Sequence, residues 1–169
     1  MSSTTKTIEV NRDIAAERKR LADKARQAFT RRGTLVINLV SSPGAGKTSL
    51  LEATAKHWAQ QGVDRDRQMA VLVGDIATNR DAERLAHLMP VRQLTTGGAC
   101  HLELALVQRG LEELPACDYR FLFIENVGNL VCPASHDLAE HVRVVLSSTT
   151  EGDDKPGKSP KMFRTSQAM

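Results

Sequence analysis

A glycine-rich stretch between an apolar segment and a helical segment most strongly constrains the fold of this 169-residue chain. Residues 34–40 are apolar, which predicts a buried strand, and Ser41-Ser-Pro-Gly-Ala-Gly-Lys-Thr48 follows directly. Residues 49–61 then have helical composition. A strand, a loop of small residues and a helix are typical of a phosphate-binding loop, because the loop N–H groups and the helix N-terminus together favour an anion.

The residue types of this loop suit a nucleotide phosphate. Small residues let the backbone curl around the phosphate, Lys47 supplies a positive charge, and the hydroxyl of Thr48 can bind Mg²⁺. One position departs from the usual pattern, since the motif opens with Ser41 rather than glycine. The sequence therefore predicts nucleotide binding by Ser42, Gly44, Ala45, Gly46, Lys47, Thr48 and Ser49.

Short apolar segments alternate with helical ones along the rest of the chain. This alternation predicts an α/β fold of the phosphate-loop NTPase type, with a mainly parallel sheet flanked by helices. The predicted strands are residues 34–40, 69–73, 91–95, 121–124 and 142–146, and the predicted helices between them are residues 49–61, 80–88 and 102–114.

Two carboxylates follow predicted strands. Asp75 comes after Val71-Leu-Val-Gly, and Glu125 comes after Phe121-Leu-Phe-Ile. Ligands of open α/β sheets bind at the carboxyl ends of the strands, so we expect both acids to lie beside Lys47. There they could hold Mg²⁺ and place an attacking water, and the alternative is that each caps a helix or lies in a loop.

Three residues with soft donor atoms lie on two neighbouring predicted loops. Cys100 and His101 follow the third strand, and Cys132 follows the fourth. The three cysteines of the chain are read as thiols, and thiolate and imidazole donors suit Zn²⁺ or Ni²⁺. Three ligands do not close a tetrahedral site, and buried cysteines are often inert, so both interpretations stay open here. We expect Cys117 to be a packing or surface residue, and His57 and His87 to lie on the surface. His136 and His141 are left unassigned.

The first 33 residues predict an amphipathic helix with a basic polar face, which either meets an acidic partner or is solvated. The whole chain has a net charge of only +3 and 4% aromatic residues, and both values argue against nucleic-acid binding. The sequence has no long apolar run and no apolar segment at its start, which predicts a cytoplasmic chain without membrane attachment.

Several motifs together resemble one known family. They are Gly74-Asp-Ile-Ala-Thr-Asn-Arg-Asp-Ala-Glu-Arg84, Gly98-Ala-Cys-His-Leu102, Phe123-Ile-Glu-Asn-Val-Gly-Asn-Leu-Val-Cys-Pro-Ala134 and Thr150-Glu-Gly-Asp-Asp-Lys-Pro156. Between residues 34 and 163 the chain is similar to the HypB family of hydrogenase nickel-incorporation GTPases. The related urease accessory GTPases are the nearest alternative.

The resemblance implies a GTPase that dimerises with GTP and delivers nickel to the precursor of the hydrogenase large subunit, together with a nickel metallochaperone. It implies catalytic roles for Lys47, Asp75 and Glu125, with Mg²⁺ held by Thr48 and the two acids. It also implies that Cys100, His101 and Cys132 bind nickel or zinc at a dimer interface.

The sequence departs from the family pattern at two places. Some members carry a further histidine shortly after the Cys-His pair, where this chain has Leu104-Ala-Leu106. The Asn-Lys-x-Asp motif that reads guanine is expected after Phe163 and is not among the six residues that follow. We therefore expect an incomplete GTPase domain over residues 34–163 without its terminal strand and helix, followed by a tail over residues 164–169. The alternatives are a non-catalytic nickel or zinc carrier and a small-molecule kinase.

Overall fold

Parallel strands form the centre of the computed structural model, which describes residues 3–62, 68–75, 80–152 and 154–169, with side chains from residue 13 onward. Within that part of the chain the sheet has five strands in the order β3-β2-β4-β1-β5, and every neighbouring pair is parallel. The strands are β1 (Leu35–Ser41), β2 (Met69–Asp75), β3 (Val91–Thr95), β4 (Phe121–Glu125) and β5 (Val142–Leu146).

The helices lie mostly between the strands, as the alternation predicts. They are α1 (Ser3–Arg31), α2 (Lys47–Gln60), α3 (Arg80–Ala86), α4 (Leu104–Glu112), α5 (Lys155–Lys158) and α6 (Pro160–Thr165), with 3-10 turns at Cys132–Ser135 and Thr149–Glu151. The predicted α/β fold with a parallel sheet flanked by helices is confirmed. The sequence did not indicate α5 and α6, because both are short, begin near prolines and lie in a polar stretch.

Helices cover both faces of the sheet, and this explains why β1, β2 and β4 are almost continuously apolar, whereas the edge strand β3 leaves Arg92 and Thr95 exposed. One face carries a cluster that includes Phe29 of α1, Val107 of α4 and Leu72 of β2. The other face packs α2 and α3 against the sheet through residues such as Leu51 and Leu85. The two faces together form the hydrophobic core, and the carboxyl ends of the strands are left to the loops.

Among the described side chains of α1, which begin at residue 13, those in the C-terminal part pack on the sheet. Ala22 and Phe29 are buried, whereas Ile14 and Leu21 are 48% and 45% exposed. Arg26 fixes the helix to the loop before β5, since its Nε donates to the carbonyl oxygen of Glu140 at 2.9 Å. None of the described helices is both long and apolar enough to cross a membrane.

A buried polar network crosses the centre of the sheet at Asn38 of β1. The Asn38 side-chain amide donates to Glu140 at 3.2 Å and accepts from the amide of Asn126 at 3.2 Å. Glu140 is in turn paired with Arg143 of β5, whose Nε donates to it at 2.9 Å. All four side chains are at least nine-tenths buried, so each depends on the others for its hydrogen bonds.

The end of the chain folds back onto the sheet beside β5. Met162 of α6 is fully buried, and Ala168 forms an isolated parallel bridge with Val144. Its carbonyl oxygen accepts from the N–H of Val145 at 3.0 Å. Residues 164–169, set apart as a tail in the sequence, therefore finish α6 and then run along the edge of the sheet.

Candidate functional site

The phosphate-loop sequence adopts a tight turn between β1 and α2. Gly44 and Gly46 have positive φ angles of 74° and 98°, which strain any residue with a side chain, so glycine is required at both. The N–H of Leu50 bonds the carbonyl oxygen of Gly46 at 2.9 Å and closes the first turn of α2. This geometry points the loop and the helix N-terminus at one space, where an anion is favoured.

Lys47 is buried at the base of the loop, with 7% of its surface exposed. Its ammonium donates to the hydroxyl of Ser41 at 2.8 Å, so the residue that departs from the usual glycine holds the lysine in place. Burial lowers the pKa of Lys47, and the negative charges of Glu125, Asp81 and Glu151 partly oppose that effect. A buried cation with one neutral partner is suited to a phosphate group.

Thr48 and Glu125 meet beside that lysine. The Thr48 hydroxyl donates to Oε1 of Glu125 at 2.7 Å, while Oε2 is buried and has no hydrogen-bond partner among the described residues. Burial raises the pKa of Glu125, and the bond from Thr48 and the charge of Lys47 partly offset that effect. A hydroxyl and a free carboxylate oxygen are the oxygen ligands that Mg²⁺ prefers, so the residues fit a magnesium ion.

These side chains line a cavity of about 460 Å³ at the carboxyl edge of the sheet. Asp75, the last residue of β2, is half-buried on its wall. Lys47, Thr48, Asp75 and Glu125, the residues proposed from the sequence, therefore line one cavity. The cavity is lined by Pro43, Gly44, Gly46, Lys47, Thr48, Ser49, Gly74, Asp75, Asp81, Arg84, Glu125, Asn126, Val127 and Gly128.

Four charged residues at this site were not proposed from the sequence. Asp81 and Arg84 reach the cavity from α3, at the end of a motif of which residues 76–79 lie outside the described residues. Lys155 donates to the hydroxyl of Ser42 at 3.0 Å and pairs with Glu151 at 3.2 Å. Both pairs belong to motifs that carried the family resemblance, and that was the signal available for them.

The segment after β4 lies directly on the phosphate loop. A Cβ added to Gly128 would lie 3.0 Å from the Cα of Pro43, closer than ordinary contact, so glycine is needed for this approach. The next residue, Asn129, donates from its side chain to the carbonyl oxygen of Cys100 at 3.4 Å. One short segment therefore contacts both the phosphate loop and the cysteine loop.

Cys100 and Cys132 lie together, but not as free thiols. The structure pairs them as a disulfide with their Cα atoms 6.2 Å apart, which corrects the expectation of thiols. A disulfide offers no thiolate, so metal binding by these residues requires reduction. In this state no group of three or more His, Cys, Asp or Glu among the described residues is arranged to hold a metal ion.

Two histidines flank the cysteine pair. Nδ1 of His101 lies 3.9 Å from Sγ of Cys100, and the His101 ring stacks on the ring of His136 with centroids 3.7 Å apart. Burial and the nearby His136 lower the pKa of His101. Cys117, by contrast, is exposed and free, and His57 and His87 are exposed on the surface.

Comparison with known proteins assigns this arrangement to a family. Residues 35–151 match the model of the CobW/HypB/UreG nucleotide-binding domain. The chain is 45% identical to the hydrogenase/urease maturation factor HypB of Helicobacter hepaticus over 97% of its own length and 67% of that protein. It is 44% identical to the hydrogenase maturation factor HypB of Escherichia coli, with coverages of 99% and 56%. The chain belongs to the HypB family.

Solved HypB structures have the same fold. The crystal structure of HypB from Helicobacter pylori in complex with nickel matches with a TM-score of 0.77 and 38% identity, over 89% of this chain and 69% of that one. HypB from Archaeoglobus fulgidus matches with the same TM-score and identity, over 89% and 71%. The chain spans between about half and two thirds of the length of the first curated relatives it matches.

Proposed function

We propose that this chain binds and hydrolyses GTP and acts in nickel incorporation during the maturation of nickel–iron hydrogenase. The observation that carries the proposal is the buried group of Lys47, Thr48 and Glu125 beside the phosphate loop. Oε2 of Glu125 has no hydrogen-bond partner among the described residues. A cation and an unpaired carboxylate oxygen are costly to bury unless a ligand uses them. Phosphate and Mg²⁺ would use both.

Thr48 and Glu125 would hold Mg²⁺, and Asp75 lines the same cavity. When bound, the ion would neutralise charge on the β- and γ-phosphates. Residues of the chain supply the other contributions to the reaction. Lys47 stabilises negative charge on the transferred phosphoryl group, and the turn around Gly44 and Gly46 aims backbone N–H groups at the phosphates. Asp75 orients the attacking water.

Cys100, His101 and Cys132 would bind nickel or zinc once the disulfide is reduced. Reduction by a dithiol transfers two electrons and two protons to the pair and leaves the reductant as a disulfide. Each thiol then loses a proton as it binds the metal. The solved nickel complex of HypB from Helicobacter pylori supports nickel as the cargo. A second copy of the chain would complete the ligand shell, so metal and GTP both favour a dimer.

Nucleotide state and metal site are coupled in this proposal. Gly128 touches Pro43 of the phosphate loop, and Asn129 bonds the backbone of Cys100, so a change at the γ-phosphate reaches the metal ligands through two adjacent residues. GTP would order this segment and GDP would relax it. Equal nickel affinity of the reduced chain with GDP and with a non-hydrolysable GTP analogue would contradict the coupling.

Nucleotide binding is tested first by titrating the chain, with Mg²⁺, against fluorescent GDP and competing with GTP and with ATP. We expect tight binding that Lys47→Ala weakens at least about tenfold, because the variant removes the buried charge. Competition by GTP but not by ATP supports the GTPase. Equal competition, or no binding, would instead favour the non-catalytic nickel or zinc carrier.

A role in urease maturation is the second candidate. The relative from Helicobacter hepaticus is named a hydrogenase/urease maturation factor. The proposed partners for the first function are a nickel metallochaperone and the precursor of the hydrogenase large subunit. Nickel transfer from the loaded chain to purified hydrogenase and urease apoproteins, measured side by side, separates the two functions.

A further inference from the structure

The loop that holds Cys100 and His101 has no further histidine, whereas the loop that holds Cys132 has one without an assigned role, His136. After His101 come Leu102, Glu103 and the apolar start of α4, so the first loop supplies no second imidazole. The opposite loop does, because His136 follows the turn Cys132–Ser135 and faces His101. Both imidazoles and both cysteines are therefore gathered in one place within a single chain.

Hydrogen bonding fixes which nitrogen of His136 is free. Its Nδ1 lies 2.9 Å from the carbonyl oxygen of Cys132, and a carbonyl only accepts, so Nδ1 carries the hydrogen. Nε2 is then left with a lone pair. Histidine ligands of metals characteristically donate their other N–H to a carbonyl or carboxylate, which fixes the tautomer and the ring orientation. His136 has that arrangement without a metal.

The backbone of His136 is also anchored from two sides. Its N–H bonds the carbonyl oxygen of Pro133 at 3.1 Å, and its carbonyl oxygen accepts from the buried guanidinium of Arg143 at 2.8 Å. The side chain is only partly buried and can rotate on this fixed base. A ligand whose backbone is held in advance loses little conformational freedom on binding.

The other donors are close to the spacing that one ion requires. With Zn–S and Zn–N bonds of about 2.3 and 2.05 Å, a sulfur and a nitrogen on one tetrahedral ion lie about 3.6 Å apart. Sγ of Cys100 and Nδ1 of His101 are 3.9 Å apart. The Cα atoms of Cys100 and Cys132 are 6.2 Å apart, so after reduction both sulfurs can turn to the same point.

We propose that His136 is a further protein ligand of the metal site, so that each chain brings four donors to it: Cys100, His101, Cys132 and His136. The inference rests on the proposed function in that the reduced cysteines must bind metal. The stacked rings of His101 and His136 splay apart when the ion enters, and Nε2 of His136 turns towards the sulfurs. The cation is a divalent ion of intermediate softness, such as Zn²⁺ or Ni²⁺.

The test measures Zn²⁺ affinity of the reduced full-length chain by competition with a chromophoric chelator, and Co²⁺ binding by absorption. His136→Phe retains an aromatic ring to stack on His101 but has no donor. His57→Phe is the matched control, since His57 is exposed on α2. Cys132→Ser reports on the thiolates. Thermal unfolding of each apo variant confirms that it folds.

We expect His136→Phe to weaken Zn²⁺ binding at least about tenfold and to reduce the tetrahedral Co²⁺ absorption, while His57→Phe changes neither. If Cys132→Ser abolishes binding but His136→Phe leaves affinity and spectrum unchanged, His136 is not a ligand and the proposed metal site survives. If the wild-type chain binds neither ion, or Cys132→Ser binds as well as wild type, the proposed metal site itself is wrong and His136 falls with it.

Discussion

Gly128→Ala is expected to weaken nucleotide binding without touching a phosphate-binding residue. The added Cβ would lie 3.0 Å from Cα and 3.1 Å from the nitrogen of Pro43, whereas carbon contacts are comfortable at about 3.5–4.0 Å. The backbones must therefore separate by about 0.5 Å or more. Overpacking of this kind costs about 1–3 kcal/mol in the free energy of unfolding.

The same strain determines the loss of affinity. If the phosphate loop relaxes away from Gly128→Ala, nucleotide must restore the original position, and 1–3 kcal/mol corresponds to a roughly 5- to 150-fold weaker Kd. Fluorescent GDP titration and urea unfolding measure the two quantities. Gly157→Ala is the matched control, because no atom lies within 4 Å of its Cβ position. Wild-type affinity and stability in Gly128→Ala would refute the argument.

Three further predictions concern charge and sulfur. Burial holds the pKa of Glu125 above its usual range, so its favourable contribution to stability is lost as pH rises through the folded pKa. Glu125→Gln should therefore be more stable than wild type at pH 8 without nucleotide, with the difference vanishing towards pH 4, as followed by thermal unfolding. Arg143→Ala leaves the buried carboxylate of Glu140 without an opposite charge and should lower the free energy of unfolding in urea by about 3–5 kcal/mol. A loss below about 1 kcal/mol would contradict the role given to this ion pair. Alkylation followed by mass spectrometry should modify only the free Cys117 without reductant and all three cysteines with it, and full modification without reductant would disprove the pairing.

Strands β1, β2 and β4 were predictable because they are largely buried, so a run of apolar residues between turn signals is the pattern needed, whereas the edge strand β3 leaves Arg92 and Thr95 exposed. The limits of β3 and β5 match the prediction, β2 and β4 extend by two residues and one residue, and β1 lies one residue later. The loop motif was equally informative, because a phosphate site needs glycine at fixed positions and a lysine beside it. Asp75 and Glu125 followed from the rule that parallel strands end at one edge.

The parts that the sequence did not disclose depend on contacts between distant segments. Lys155 reaches Ser42 across 113 positions, and nothing local in a polar stretch indicates that approach. The Cys100–Cys132 pairing joins the loops after β3 and β4, which are not adjacent in the sheet, so only the folded chain brings the two cysteines together. Met162 and Phe163 are two adjacent apolar residues in a polar segment, so the burial of Met162 left no periodic signal.

Asn38 fixes the alignment of strand β1 along its neighbouring strands, which the apolar residues of β1 cannot do. In a strand buried on both faces, alternation does not distinguish one alignment from another, so hydrophobicity alone tolerates slippage along β4 and β5. A two-residue slip would keep every side chain on its own face but would carry the Asn38 amide away from Asn126 and Glu140. Each buried polar group left unpaired costs about 1–3 kcal/mol, so this one amide selects a single alignment of β1 between β4 and β5. The phosphate loop begins three residues later, at Ser41, so the alignment of β1 also sets the position of the loop.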